Sequence, residues 1–216
     1  MPACGFFVIF GVMNMYLESC CTSVEEVKKA CENGASRIEL CERIDIGGIT
    51  PARKLLAASL SVSAIPINVM IRPRGGDFVY SEEEILQMID DIRSYKSMGI
   101  NGFVFGCLTP DNDVDIPAMK KLMVAASGKP VTFHRAFDQV RNPEKALEDI
   151  ISLGCSHLLT SGNMEDAFEG RFNIAKLVEQ ASGRITIIAG KGIRPQNLRQ
   201  IALDSKAPQF HGTSLF

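Results

Sequence analysis

The segment Pro130–Gly162 reads PVTFHRAFDQVRNPEKALEDIISLGCSHLLTSG, and its pattern decides the fold. Val131–His134 is a short β-type run. Pro143–Leu153 is a helical stretch opened by proline, a good first-turn residue. His157–Thr160 is a second β-type run. Strand, helix and strand in this order make a βαβ unit. Working outward, the same alternation covers the chain. Further β-type runs fall at Met15–Ser19, Arg37–Cys41, Ile67–Ile71, Gly102–Phe105, Ile185–Ala189 and Gln209–His211. Helical stretches fall at Ser23–Asn33, from Pro51, from Ser81, near Ile116–Ala126, near Glu165–Gln180 and from Pro195. Ser23 with Glu26, and Ser81 with Glu84, have capping-box spacing. Strict alternation implies parallel strands joined by right-handed crossovers. Eight strands imply a closed α/β fold, a parallel (β/α) barrel of the TIM type, with its working face at the C-terminal strand ends. An open doubly wound sheet is the alternative, but no GxGxxG follows the first strand. The sequence stops shortly after His211, so the expectation is one domain over residues 1–216 with the eighth helix missing.

Composition narrows the partners. The 216 residues are 46 % hydrophobic and 22 % charged, with a formal net charge of −2. No strong field draws nucleic acid or an anionic membrane, so neither is an expected partner. Seven cysteines, odd in number and irregularly spaced, argue against a disulfide framework. No CxxC appears, which argues against structural zinc. Free thiols fit a reducing cytosol, so a cytoplasmic location is expected. Cys107 and Cys155 read as small buried hydrophobes. The apolar run Ala3–Met13 lacks a preceding positive charge and is too short to span a bilayer. Residues 1–14 are therefore expected to be an extra N-terminal segment or an alternative start, with Met13 or Met15 as the first residue.

Parallel barrel strands usually read as continuous apolar runs. Here polar residues enter with period two: Glu18 and Cys20; Arg37, Glu39 and Cys41; Asn68 and Arg72, with Arg74 beyond; Thr132 and His134; Thr160. Residues two apart share a face, and a charge facing the helix layer is costly. These side chains are expected inside the barrel near its mouth. They can pair among themselves, Glu39 with Arg72 and Glu18 with a neighbouring arginine, or they can carry chemistry. In the chemical reading Glu18, Glu39, His134 and Asp138 move protons. Arg37, Arg72, Arg74 and Arg135, with Thr160, Ser161 and His211, hold a small anion. A strand histidine such as His134 is more often a structural hydrogen-bonder than an acid or base. The turns Gly190-Lys191-Gly192 and His211-Gly212 follow the last two strands, where backbone N–H groups commonly cradle a phosphate. Tight turns also need glycine for positive φ alone.

Cys20 and Cys41 end neighbouring strands, which lie about 4.8 Å apart. Two such thiols can reach one soft cation such as Cu(I), with Cys21 and Met70 as further ligands, or they can simply be buried.

At these residues the sequence resembles the CutC copper-homeostasis family. The resemblance runs in order through Glu18-Ser19-Cys20, Arg37-Ile38-Glu39-Leu40-Cys41, Gly47-Gly48-Ile49-Thr50-Pro51, Val69-Met70-Ile71-Arg72-Pro73-Arg74-Gly75-Gly76-Asp77-Phe78, Val104-Phe105-Gly106, Pro130–Asp138, Leu159-Thr160-Ser161-Gly162 and His211-Gly212. It implies a β/α barrel in the cytoplasm with a role in copper handling, and Cu(I) on the cysteines that correspond to Cys20 and Cys41. The chain departs from the family pattern at Lys191, where glycine is usual, in the apolar residues before Met13, and in ending soon after the last strand. Three readings of function compete: a Cu(I)-binding protein, a barrel enzyme acting on a small anionic or phosphorylated substrate, and a partner-binding scaffold. Without an eighth helix, the seam between the last and first strands is expected to be apolar and covered by the N-terminal residues or by a second copy in a homodimer.

Overall fold

The computed structural model describes residues 15–215; the expected N-terminal segment lies outside them. The chain runs β1 (Tyr16–Cys21), α1 (Val24–Glu32), β2 (Arg37–Leu40), α2 (Arg53–Val62), β3 (Ile67–Met70), α3 (Glu82–Lys96), β4 (Gly102–Phe105), α4 (Ile116–Ala126), β5 (Val131–Phe133), α5 (Pro143–Ser152), β6 (His157–Thr160), α6 (Arg171–Ala181), β7 (Thr186–Gly190), α7 (Pro195–Ser205) and β8 (Gln209–Gly212). All neighbouring strands are parallel, they lie in sequence order, and β8 closes onto β1. The expected barrel is therefore formed. No helix follows β8 among the described residues.

Local chemistry explains the helix starts. Ser81 Oγ accepts from the Glu84 N–H while the Glu84 carboxylate accepts from the Ser81 N–H, a complete capping box. The Ser23 box closes differently. Ser23 Oγ accepts from the Glu26 N–H, but the Glu26 carboxylate accepts from the N–H and hydroxyl of Thr22, one residue upstream.

The strands separate two environments by parity. Ile38, Leu40, Val69, Phe103, Phe133 and Phe210 pack into the large apolar layer beneath the helices. The alternate positions turn into the lumen. Arg37 on β2 reaches His157 on β6 at 3.5 Å and Gln209 on β8 at 2.8 Å, contacts that must cross the barrel interior. Cys20, Cys41, Met70 and Val104 make a small apolar cluster of their own, separate from the outer layer. At the seam between β8 and β1, Phe210 on the outward face of β8 is 2 % exposed and Leu17 of β1 is half-buried.

Candidate functional site

Deep in the lumen, two opposite charges meet. Glu18 forms an ion pair with Arg37, its register neighbour on β2, and the pair is almost fully buried. Its other carboxylate oxygen, Oε1, lies 2.9 Å from His211 Nδ1. Burial alone would raise the Glu18 pKa, but the His211 hydrogen bond and Arg37 outweigh it and hold the carboxyl near 2. Of the two structural pairings expected, this one forms. Arg37 is thus committed to Glu18, His157 and Gln209, and neither Arg37 nor Glu18 lines the cavity at the mouth.

Above this pair the lumen opens into a cavity of about 570 Å³ among the loops that follow the strands. Cys20 and Glu39 lie level on adjacent strands and both line it. Cys20 Sγ is 3.6 Å from Cys41 Sγ and 3.9 Å from Glu39 Oε1. Ligand atoms of Cys20, Glu39 and His211 all lie within 4.8 Å of one another. The Cys41 contact pushes the Cys20 thiol well up, and burial and the Glu39 charge add to this. Burial pushes Glu39 up to about 7, and its Oε2 has no hydrogen-bond partner. Burial would lower His211, but Glu39 and Glu18 outweigh it and its pKa is raised. The expected Glu39–Arg72 pair does not form, so Glu39 lacks the arginine that Glu18 has. Gly48 (φ +83°) lies against the thiols: a Cβ there would sit 3.2 Å from Cys41 Sγ and 3.7 Å from Met70 Cε. Met70 thus joins the thiol cluster, whereas Cys21 turns into the outer layer. Two thiols and a thioether, with a carboxylate and an imidazole beside them, fit a soft cation. Cys107 and Cys155 are buried and apart from this group.

The β3–β5 side of the cavity is built differently. Arg72 Nη1 donates to the carbonyls of Ile46 and Gly48, and Nη2 donates to that of Gly76. Its guanidinium lies 4.6 Å over the Phe78 ring. Three carbonyls hold the two Nη groups of Arg72, which explains why it leaves Glu39 alone. Its Nε has no acceptor. His134 Nδ1 accepts from the Ala136 N–H, which places the ring proton on Nε2, and Nε2 also lacks a partner. Burial drives the His134 pKa down to about 3, with Arg72 acting the same way, so the ring is neutral at ordinary pH. A buried donor without an acceptor costs about 1–3 kcal/mol.

Asp138 ties the turn after β5 to the loop after β6. It accepts from Thr160 Oγ1 at 2.5 Å, from the N–H of Ser161 and of Asn163, and from Arg135 Nε. Thr160 has the parity of Leu158 and not of Leu159, so it faces this clasp and not the lumen. Ser161 Oγ donates to the Met164 carbonyl. Neither Thr160 nor Ser161 lines the cavity. Arg74 also stands apart, bridging Asp77 and Glu84. Arg135, Asp138, Lys191, Gly192, His211 and Gly212 do line the cavity; Gly190 does not. Lys191 adopts φ +76° and Gly192 φ +73°, so a non-glycine residue holds a left-handed position at the mouth. Sequence reasoning passed over His157 and Gln209, the other partners of Arg37. Their period-two spacing with Leu159 and His211 was the available signal.

These features define a class: a TIM-type β/α barrel whose mouth carries a cluster of thiol, carboxylate and imidazole groups. The CutC family model matches residues 15–215. A CutC family protein of Parabacteroides distasonis is 46 % identical over 200 residues, covering 92 % of this chain and 82 % of the relative. One from Chromobacterium violaceum is 44 % identical over 202 residues, covering 94 % and 82 %. Among solved structures, a Streptococcus agalactiae CutC, whose given name assigns it provisionally to copper homeostasis, superposes with a TM-score of 0.89. It is 32 % identical and the match covers 94 % of this chain and all of that one. The chain belongs to the CutC family.

Proposed function

We propose that this barrel binds Cu(I) as cargo in cytoplasmic copper homeostasis, holding it between Cys20 and Cys41. The observation that carries the reading is the 3.6 Å separation of the two sulfurs on neighbouring strand ends. Two metal–sulfur bonds of about 2.3 Å span up to about 4.6 Å, so one ion reaches both with little movement. Cu(I) favours soft thiolate and thioether ligands, and Met70 packs with the pair. His211 and Glu39 lie within reach of Cys20, where they can relay to solvent the proton that thiolate formation releases. The copper name of the Streptococcus relative and the family resemblance point the same way. The test is a Cu(I) titration against a competing chelator under reducing conditions. Wild type is expected to compete, and the Cys20→Ser, Cys41→Ser double variant to lose affinity by at least 100-fold. Equal competition by both would place copper elsewhere.

A further inference from the structure

We infer that the mouth cavity is also a binding site for a small oxyanion, a phosphate monoester or a carboxylate, whose oxygen accepts from His134 Nε2–H and Arg72 Nε–H. The proposal goes beyond the copper reading and stands independently of it, because these two groups cannot ligate a metal: the guanidinium has no lone pair to offer and Nε2 carries a proton. Both side chains are more than nine-tenths buried, at 3 % and 4 % exposure, and both line the cavity. In each, the other side-chain nitrogens are bonded inside the protein and one nitrogen, Nε2 of His134 and Nε of Arg72, has no partner. Phe78 holds them together: its ring centroid is 4.9 Å from that of His134 and 4.6 Å from Arg72 Cζ.

The surrounding charge selects an anion. Four cationic residues line the cavity, Arg72, Arg135, Lys191 and Arg194, against two carboxylates, Glu39 and Asp138. Asp138 is occupied by Arg135 and by the Thr160, Ser161 and Asn163 donors. Lys191 and Arg194 form no ion pair among the described residues. The charges acting on His134 are both cationic, Arg72 and Arg135. Both donors are enclosed in the cavity wall, so the ligand oxygen reaches them as the His134 and Arg72 side chains turn toward the cavity, and a neutral N–H beside a guanidinium then faces the oxyanion. Donors of this kind do not recognise a cation, and a neutral ligand would leave the cationic surplus unmatched.

The test uses the full chain, reduced and free of copper, so its outcome is separable from that of the chelator competition. Sodium phosphate and sodium malonate are titrated separately, each against sodium chloride at matched ionic strength. The readouts are the imidazole ring resonances of His134 by NMR and the melting temperature. The expected result is saturable binding by at least one probe, with a shift of the His134 Nε2 resonance and of its proton. Response to phosphate alone identifies a phosphate-type ligand, and response to malonate alone identifies a carboxylate. Binding should weaken at least tenfold in His134→Gln and in Arg72→Lys. Should either variant fail to fold, the wild-type His134 resonances decide. No saturable change beyond the chloride control, or saturation that leaves the His134 ring unmoved, overturns the inference.

Discussion

Glu18 and Glu39 are two glutamates on adjacent strands of one lumen, both fully enclosed, yet their carboxyls are held near 2 and near 7. The difference is the partner. Glu18 has the Arg37 guanidinium and the His211 ring; Glu39 has His211 at 3.9 Å and a thiol at a similar distance. The lower lumen is therefore charge-balanced within the protein, with only the uncharged His157 Nδ1 and Thr132 Oγ1 lacking partners, while the mouth leaves a carboxylate oxygen, a guanidinium N–H and an imidazole N–H without partners. Buried groups that the protein does not satisfy are where a ligand gains most. The comparison separates the polar residues that hold the barrel together from those that await something.

The largest effect should come from breaking the balanced pair. Arg37→Met leaves Glu18 buried without its cation and is expected to cost about 3–5 kcal/mol, read from urea denaturation at pH 7. A loss below about 1 kcal/mol would mean that the lower lumen is not charge-balanced by this pair.

Glu39 should behave in the opposite way. Its folded pKa lies above its unfolded value, so its contribution is fully present below about 4.5 and is lost as pH rises through 7. Replacing it with Gln removes a penalty of about 3 kcal/mol at pH 8.5. Glu39→Gln should be more stable than wild type at pH 8.5 and nearly equal at pH 5, by urea denaturation at both. Equal destabilisation at both pH values would show that Glu39 is as well partnered as Glu18.

His134 sharpens the contrast on the acid side. Its folded pKa is depressed to about 3, so the unfolded chain binds the extra proton below 6.5. Stability is then present above 6.5 and lost as pH falls, at about 1.4 kcal/mol per unit for this group. His134→Gln should flatten the denaturation free energy between pH 6 and pH 4 by that amount. An unchanged slope would mean that His134 is protonated in the fold. The smallest effect is expected at Lys191, whose φ of +76° suits glycine better. Lys191→Gly should gain up to about 1 kcal/mol, seen as a raised melting temperature, and a loss would show that the Lys191 side chain is itself held.

What the sequence shows here depends on range. The barrel was legible because strand and helix periods are local, and Glu18, Cys20, Arg37, Glu39 and Cys41 were legible as inward-facing because parity is local too. Pairing was not. Whether Arg72 meets Glu39 or three backbone carbonyls depends on how the loops Ile44–Gly48 and Pro73–Gly76 fold over β3, which no period encodes. The depth of Arg37 below the mouth depends on strand register. Thr160 was misassigned to the lumen for a related reason: at a strand end, one residue of parity moves a side chain from the cavity to the Asp138 clasp.

The central claim is that the Cys20 thiol is protonated in the free protein and that Cys20 and Cys41 become the ligands of Cu(I). The direct measurement is the number of protons released per Cu(I) bound, in weakly buffered reducing solution at pH 7. The Cys20 thiol is pushed well above its ordinary pKa by Cys41, by burial and by Glu39. At least one proton should therefore appear per copper, and the release should fall in Cys20→Ser. Copper uptake with no proton release, or with release unchanged in Cys20→Ser, would contradict the account.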